Sequence, residues 1–448
     1  MPKYDDRKIN WTGKILNDKY VLIKKIGRGS YATVWLSYVF DKQKYVAIKI
    51  NNRRDVLTAM NEVNNYKTIG KLNNEHLMKT IDIFEHENNY YDDDDEVSID
   101  NNKHYCIVME LMGLSLYDML KTNDYKKNIK FNNIIDVMKQ VLKGLNDLHD
   151  NNIIHGDMKP ENILVKNSSN KYIEIMKMLD INKLKKRKQI VEKINKHKSK
   201  LNSRLDDDTT SLSSSSSDRF TDGISVFSYF SSEYGKIKLS DNDEDNEDGD
   251  EDNDEDDGED DDEDNDEDED EDEDDSYDYS NLRIQIVDYG ECQSHAIRKK
   301  REIQTCYYKS PEILLGLPYT TSSDMWAFGC TLIELLTQSI LFDAYEYEGN
   351  TIRHHLYMIN CFFGDLPKDM IINSPKKDIF YTKNLRCIKG YDKIEYENNI
   401  SKIILTIKQK YNLDDVIYLT DFIKKIFDYN DKTRITAKLS LNHDLFKL

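Results

Sequence analysis

The stretch "IIHGDMKPENILV", Ile153 to Val165, decides how the whole chain is interpreted. Its polar residues Asp157, Lys159 and Asn162 share one short loop. The loop directly follows "IIDVMKQVLKGLNDLHD", where apolar residues at i, i+3, i+4 and i+7 predict an amphipathic helix. A carboxylate, an ammonium group and an amide at this spacing are too specific for a fortuitous polar turn, so we interpret the stretch as a catalytic loop.

The sequence before this loop predicts a small sheet with one helix. From Tyr20, "YVLIKKIGRGSYATVWLSYVF" alternates apolar and polar residues on both sides of a glycine turn, and "KYVAIKI" adds a third strand. "VLTAMNEVNNYKTIGKL" has the apolar spacing of a helix that ends near Gly70, and "HYCIVMELMG" predicts a further strand. Because helices such as "SDMWAFGCTLIELLTQ" follow, we predict an α+β fold with a small antiparallel-sheet lobe and a larger helical lobe.

The composition changes completely between Lys166 and Leu282. Lys183 to Arg204 is basic, Ser213 to Ser217 is a serine run, and Asp241 to Asp275 holds 29 acidic residues without Lys or Arg. Such sequence buries too little apolar surface to offset its ordering entropy, so we predict a mostly disordered spacer. Within it, Tyr172 to Lys200 has the pattern of a helix and Val226 to Phe230 that of a short docking segment. The predicted organisation is an extension over 1–19, folded parts over 20–166 and 282–447, and the spacer over 167–281.

Charge and cysteine usage limit the class of protein. The formal charge is −21, and it becomes +8 once the acidic tract is left out. The six cysteines form no CxxC pair, the first residues do not resemble a signal peptide, and no run of about 18 apolar residues occurs. These features predict a reduced protein of the cytoplasm or nucleus, neither secreted nor in a membrane. Abundant Asn, Lys, Ile and Tyr are typical of AT-rich genomes, as in some protists and large DNA viruses.

Phosphoryl transfer needs a backbone cradle for phosphates and a cation that aligns them. In "GRGSYATV", Gly27 and Gly29 permit close backbone approach, although Ala32 stands where a third glycine would be expected. Lys49 lies on the third predicted strand, and Glu62 on the following helix is placed to pair with it. Taken alone, each feature also fits an ordinary hairpin turn or surface charges.

The same chemistry needs metal ligands and a carboxylate base. On the catalytic loop, Asp157 is the candidate base, Lys159 would neutralise the transferring phosphate, and Asn162 would bind a second metal ion. Asp288 in "VDYG" would hold the bridging metal ion. A lone DxG is common, but this one follows a regular strand and precedes "QTCYYKSPE", which makes it a strong candidate.

With these motifs in this order, Tyr20 to Val165 and Leu282 to about Lys447 resemble protein kinases. The resemblance implies a two-lobed kinase fold, Mg²⁺-ATP as cofactor, and an ion pair between Glu312 and Arg434. It also implies that Asp324 braces the backbone of the catalytic loop. The nucleotide contacts that it implies are Ile26, Gly27, Gly29, Val34, Ala47, Lys49, the gatekeeper Met109, and the hinge from Glu110 to Met112.

"DMKPEN" is similar to serine/threonine kinases, and three features resemble the SR-protein kinases among them. These features are "ATVWL" after the glycine turn, "IQTCYYKSPEILLG", and the position of the spacer. This resemblance implies protein substrates rich in Arg and Ser. Cys306 replaces an Arg that shapes the pocket for the residue after the phosphoacceptor, so that preference stays open. Asp343, Glu346 and Glu348 are either lining residues of an acidic docking groove or solvated loop charges.

Gly156 occupies the position where many kinases carry the Arg of His-Arg-Asp. That Arg makes activity conditional on a phosphate in the activation loop. SR-protein kinases also lack it, so we expect an enzyme that is active without this phosphate.

Other interpretations remain at this stage. The chain is alternatively a related kinase with other substrates or a pseudokinase scaffold, although the complete set of catalytic residues argues against a scaffold. Direct nucleic-acid binding through Lys183 to Arg204 would give a steep salt dependence. The acidic tract is either a solvated linker or an intramolecular competitor for basic partners. His354 and His355 lack metal-ligand spacing, which favours a structural or surface role.

Overall fold

The computed structural model describes residues 9–29, 31–39, 42, 44–52, 55–87, 103–166, 279–294, 302–344, 351–385 and 400–447. The predictions for Tyr172 to Lys200, Ser213 to Ser217, Val226 to Phe230, Asp241 to Asp275 and Lys183 to Arg204 therefore lie outside the described residues, as do Glu346 and Glu348.

The first lobe is a six-stranded antiparallel sheet. Its strands are β1 Ile15–Leu16, β2 Tyr20–Arg28, β3 Ala32–Val39, β4 Lys44–Asn51, β5 Thr80–Glu87 and β6 Lys103–Glu110, in the order β1-β2-β3-β4-β6-β5. Alternate side chains of a strand face opposite sides, and on one side Trp35, Ile48 and Val108 pack with Trp11 into a buried cluster. The register aligns Ala47 with Met109 and Lys49 with Ile107, so these four side chains share one face of the sheet.

One helix of this lobe, α1 Val56–Ile69, packs against the sheet. It ends at Gly70, as predicted from the apolar spacing. Its buried face includes Ala59, Val63 and Tyr66, and it also buries the carboxylate of Glu62. A charged residue is rarely buried without a partner, so this position already indicates an ion pair.

The second lobe is helical. Two long helices predicted from the sequence form its core: α4 Phe131–Asp150, which buries one face, and α6 Ser322–Thr337, which is buried on all sides. The other described helices are α2 Leu116–Lys121, α3 Asn123–Asn128, α5 Pro311–Leu314, α7 Thr351–Phe363, α8 Lys368–Asn373, α9 Lys377–Phe380, α10 Ile400–Lys410, α11 Ile417–Ile426 and α12 Ala437–Leu441. The predicted order of a sheet lobe and then a helical lobe is confirmed.

Two short strand pairs bring the predicted catalytic segments together. β7 Ile153–Ile154 and β8 Ile163–Lys166 flank the catalytic loop, while β9 Arg283–Ile286 and β10 Gln293–Ser294 flank Asp288. β8 pairs with β9, and β7 pairs with β10. Because both strands of one segment pair with both strands of the other, the loops between them lie side by side.

The β8–β9 pair is also where residues 167–278 leave and rejoin the described chain. Lys166 and Arg283 are Cα partners in this pair, so both ends of the insertion lie at one edge. Tyr279, within the predicted spacer, is buried, stacks edge-on against Tyr125 and donates a hydrogen bond to Asp124. The packed structure therefore resumes slightly before the predicted boundary.

Distant parts of the helical lobe are joined by a buried ion pair. Arg434 donates to both carboxylate oxygens of Glu312 at 2.7 and 3.1 Å, and both side chains are almost fully buried. The contact implied by the resemblance is thus present in the structure. His354 and His355 on α7 are also fully buried, inside the lobe and not on its surface. Among the described residues, no helix has the length and apolar character needed to cross a membrane.

Candidate active site

A cleft of about 930 Å³ separates the sheet from the helical lobe, large enough for a nucleotide. All the nucleotide contacts expected from the sequence line it: Ile26, Gly27, Gly29, Val34, Ala47, Lys49, Met109, Glu110 and Met112. They come from β2, β3, β4, the end of β6 and the segment after it. The cleft therefore gathers residues that are far apart in sequence.

The glycine turn between β2 and β3 covers one side of this cleft. The backbone N–H of Gly29 donates to the carbonyl of Ala32 at 2.9 Å, which closes the turn. A Cβ at Gly27 would lie 3.3 Å from Cβ of Val34, closer than side chains normally pack. This residue is therefore kept small by its neighbour on β3, and its backbone stays accessible from the cleft.

Lys49 joins two carboxylates from opposite lobes. Its Nζ lies 2.6 Å from Oε1 of Glu62 and 2.8 Å from Oδ1 of Asp288. Asn51 donates to the other oxygen of Glu62 at 3.0 Å and holds that carboxylate in place. Burial alone would lower the pKa of Lys49, but Asp288 and Glu62 outweigh this effect and raise it. Lys49 is therefore a permanently charged cation on the wall of the cleft.

The catalytic loop forms a network around Asp157. Asn162 Nδ2 donates to Oδ2 of Asp157 at 3.0 Å and to its backbone oxygen at 2.7 Å. Lys159 Nζ lies 2.9 Å from the same Oδ2. The Thr305 hydroxyl donates to Oδ1 of Asp157 at 2.7 Å and accepts from Lys159 at the same distance. The structure thus brings the three predicted residues together and adds Thr305, which lies in the quoted "IQTCYYKSPE" but was not singled out.

Asp324 on α6 fixes the backbone that leads into this loop. Its two oxygens accept from the N–H groups of His155 at 2.8 Å and Gly156 at 2.9 Å. Gly156 has a φ of +81°, and a Cβ there would lie 2.8 Å from the backbone oxygen of Glu291. The absence of a side chain at Gly156 is thus required by the local conformation. The bracing role expected for Asp324 matches these contacts.

The side chains present fit the magnesium–nucleotide complex that the resemblance implies. Asp288 and Asn162 both line the cleft, and the Asp288 side chain is 43% exposed. Lys49 lowers the pKa of Asp288, so this carboxylate is ionised at neutral pH. Because Nδ2 of Asn162 donates to Asp157, the atom that it offers to a metal ion is Oδ1. A carboxylate and an amide oxygen are ligands that Mg²⁺ accepts together with phosphate oxygens.

Two carboxylates near the catalytic loop were not predicted as site residues. Glu161 lines the cleft, and its Oε2 is buried without a hydrogen-bond partner. Glu334 on α6 is almost fully buried and accepts a hydrogen bond from the Tyr308 hydroxyl at 2.6 Å. Burial, reinforced by the negative charge of Glu161, raises the pKa of Glu334 to about 7. Sequence periodicity assigns such residues to a loop and a helix but does not show which space they face.

Two further residues, Cys306 and Asp343, are predicted to take part in substrate recognition. Cys306 is half-buried, and burial raises the pKa of its thiol. Asp343 is exposed at the end of its segment, and its predicted companions are outside the described residues. The docking groove predicted from these residues therefore stays a prediction.

Comparison with known proteins also finds similarity to protein kinases. A family model described as a protein kinase domain matches residues 20–198 and 273–446. A putative serine/threonine-protein kinase of Acanthamoeba polyphaga mimivirus is 26% identical, over 98% of this chain and 89% of the relative. The serine/threonine-protein kinase SRPK of Physarum polycephalum is 24% identical, over 96% and 86%. The dual specificity protein kinase CLK1 of Homo sapiens is 22% identical, over 98% and 68%.

Proposed function

The chain belongs to the protein kinase family, and on that basis we propose that it transfers the γ-phosphoryl group of Mg²⁺-ATP to Ser and Thr hydroxyls of basic, Arg/Ser-rich proteins. The observation that carries this proposal is the joint contact of Lys49 with Glu62 and Asp288 beside the Asp157 network. A cation, a metal-binding carboxylate and a base lie on one cleft, as phosphoryl transfer requires.

Each residue has a separate task in this proposal. Lys49, oriented by Glu62, would align the α and β phosphates, while Asp288 and Asn162 would hold the metal ions. Asp157 receives the proton of the acceptor hydroxyl, and Lys159 stabilises the negative charge that develops on the transferring group. Ile26, Val34 and Ala47 would pack on the adenine, the backbone from Glu110 to Met112 would hydrogen-bond it, and Gly27 and Gly29 would let the turn approach the phosphates. When bound, Mg²⁺-ATP supplies the phosphoryl group and neutralises its charge.

The preference for basic substrates rests on Glu161, which lines the cleft, and on Glu334, which is buried behind it. Glu161 has a buried oxygen without a hydrogen-bond partner. Its negative charge helps to raise the pKa of Glu334, so the two carboxyl groups lie near each other. An arginine side chain of a substrate would supply both a positive charge and hydrogen-bond donors to such a pair. The name of the Physarum relative, SRPK, is consistent with substrates of the SR type, and a compartment in the cytoplasm or nucleus would give access to them.

The test is phosphate transfer from Mg²⁺-ATP to three peptides: an Arg-Ser repeat, an acidic peptide and a Ser-Pro peptide. We expect transfer to the Arg-Ser peptide above the others, and its loss in Asp157→Ala with ATP binding retained. Glu161→Gln should raise KM for the Arg-Ser peptide and leave KM for ATP unchanged. A fourth peptide with Tyr in place of Ser tests dual specificity, which the name of the human relative raises.

Three outcomes would contradict this proposal in different ways. Preference for the acidic or Ser-Pro peptide would show that the protein is a kinase of the same family that acts on other substrates. Transfer that persists in Asp157→Ala would show that Asp157 is not the base. Transfer to none of the peptides, together with no binding of ATP, would favour a scaffold without catalysis.

A further inference from the structure

We propose that Asn65 is a positioning residue that ties α1 to the segment carrying Asp288. Asn65 lies three residues after Glu62, so both project from the same side of α1. Glu62 reaches Lys49, whereas Asn65 reaches the backbone just beyond Asp288. Helix α1 therefore carries Glu62, one partner of Lys49, and through Asn65 it also holds the segment that carries Asp288, the other partner.

The contact consists of two hydrogen bonds from a single amide group. Nδ2 of Asn65 donates to the backbone oxygen of Tyr289 at 2.8 Å and to that of Cys292 at 2.9 Å. These carbonyls lie at the start and just after the end of the short 3-10 turn Tyr289–Glu291. With both protons of the amide donated, Asn65 holds the turn at its two ends.

The segment held by Asn65 needs such support. Asp288 has a φ of +63°, in the left-handed region that few residues with a side chain adopt. On the side toward the sheet lobe, the Tyr289 hydroxyl donates to the carbonyls of Met78 and Ile286 at 3.2 and 3.0 Å. On the other side, β10 pairs with β7. Asn65 links this segment to α1, and Tyr66 of the same helix packs on Tyr289 at 4.6 Å between ring centroids and hydrogen-bonds the backbone of Asp288.

This arrangement couples two contacts that the proposed catalysis requires, that of Lys49 with Glu62 and that of Lys49 with Asp288. A displacement of α1 would remove Glu62 from Lys49, and through Asn65 it would also shift the turn after Asp288. Coupling of this kind keeps the population with both contacts formed high before the nucleotide binds. The inference rests on the proposed function for its consequence in catalysis, but the coupling itself is a property of the free protein.

The test compares Asn65→Leu with Asn64→Leu. Leu is close in size to Asn but donates no hydrogen bond, and Asn64 is the exposed neighbour on the same helix, so the second variant controls for added apolar surface. In the protein without nucleotide, we expect faster hydrogen exchange over residues 288–294 in Asn65→Leu only. At fixed ATP, the free Mg²⁺ needed for half-maximal peptide phosphorylation should rise about tenfold, as expected when two hydrogen bonds no longer hold a metal-ligand segment.

Asn65→Asp provides a second variant of the same shape, in which a carboxylate oxygen faces the two carbonyls in place of the amide. It should show the same changes as Asn65→Leu, or larger ones. Unchanged exchange over residues 288–294 in both variants would overturn the proposal. Faster exchange throughout the protein, or an equal effect of Asn64→Leu, would also overturn it, because either would indicate a general loss of stability. If the unchanged protein phosphorylates none of the peptides, the proposed function fails while the exchange measurement still tests Asn65.

Discussion

Gly156 shows how a single residue in the loop reports on its surroundings. Its positive φ and the nearby backbone oxygen of Glu291 leave no place for a side chain, while Asp324 and Gln304 hydrogen-bond its N–H and carbonyl. The residue directly before Asp157 is thus one that has no side chain and cannot carry a charge there. That the enzyme needs no activation-loop phosphate stays a prediction, and it is tested by the activity of protein kept phosphate-free.

We predict that Gly156→Ala destabilises the protein more than Gly364→Ala does. Both glycines have positive φ, but a Cβ at Gly364 meets nothing within 4 Å, whereas one at Gly156 meets the Glu291 carbonyl at 2.8 Å. The conformational strain alone should cost about 1–2 kcal/mol at Gly364. The cost at Gly156 should be larger, about 3 kcal/mol or more, because backbone must also move. Urea unfolding measures both values, and equal losses would contradict the steric argument.

The candidate catalytic residues could be predicted from the sequence, because each lies in a short motif. Lys49, Asp157, Asn162 and Asp288 were identified in this way. Thr305 and Asn65 were not, since their partners come from other parts of the chain and no local pattern marks such contacts. Amide and hydroxyl groups on a helix or loop are common, and only the fold shows which of them face a catalytic segment.

At the scale of elements, α6 is the central helix of the second lobe. The sequence predicted a helix in "SDMWAFGCTLIELLTQ" but gave no reason to expect that Glu334 lies inside the lobe. The burial of Glu334 raises its pKa to about 7 from the ordinary 4.5. Between these values the folded protein binds a proton that the unfolded chain does not bind. Stability from this group is therefore present below the unfolded pKa and decreases as the pH rises to about 7.

We predict that Glu334→Gln removes this part of the pH dependence. Between about pH 5.5 and about pH 8, the unchanged protein should lose about 2 kcal/mol more of its free energy of unfolding than the variant. Urea unfolding of both proteins at the two pH values gives the difference, and other titrating groups such as His355 cancel in the comparison. Tyr308→Phe should shift the transition upward, because the Tyr308 hydroxyl lowers the pKa of Glu334. The same slope in wild type and Glu334→Gln would contradict the assignment.

At the scale of the whole molecule, the insertion over residues 167–278 leaves the folded body at one edge. The proposed catalytic residues all lie in the described parts, before or after it. The sequence predicted this division from composition alone, because acidic and serine-rich sequence does not form a core. The pairing of β8 with β9 across the insertion could not be predicted, since strand pairing over so long a separation has no local signal.

We predict that a short linker in place of residues 167–278 leaves the folded body intact and stabilises it. Shortening the connection roughly tenfold should add about 2 kcal/mol to the free energy of unfolding through a smaller loop-closure entropy. The kcat for the Arg-Ser peptide should be unchanged, and Tyr279 should be kept because it packs on α3. A loss of activity in a well-folded variant would show that the insertion takes part in catalysis or its control.

A variant that lacks only Asp241 to Asp275 separates the effect of the acidic tract's charge from the effect of the insertion's length. If the acidic tract competes with basic substrates, its deletion should lower KM for the Arg-Ser peptide at low ionic strength and weaken the salt dependence of KM. An unchanged salt dependence would leave the tract as a solvated linker.

The meeting of Lys166 and Arg283 as partners in one small strand pair has a consequence for how the protein can be built. The chain could be cut within the insertion and encoded as two polypeptides, each with one part of the proposed catalytic apparatus. Lys49, Glu62 and Asp157 would reside on the first, and Asp288 with Thr305 on the second. Neither fragment would be competent alone, and activity would report their reassociation through β8 and β9, so the architecture offers a split reporter for molecular proximity.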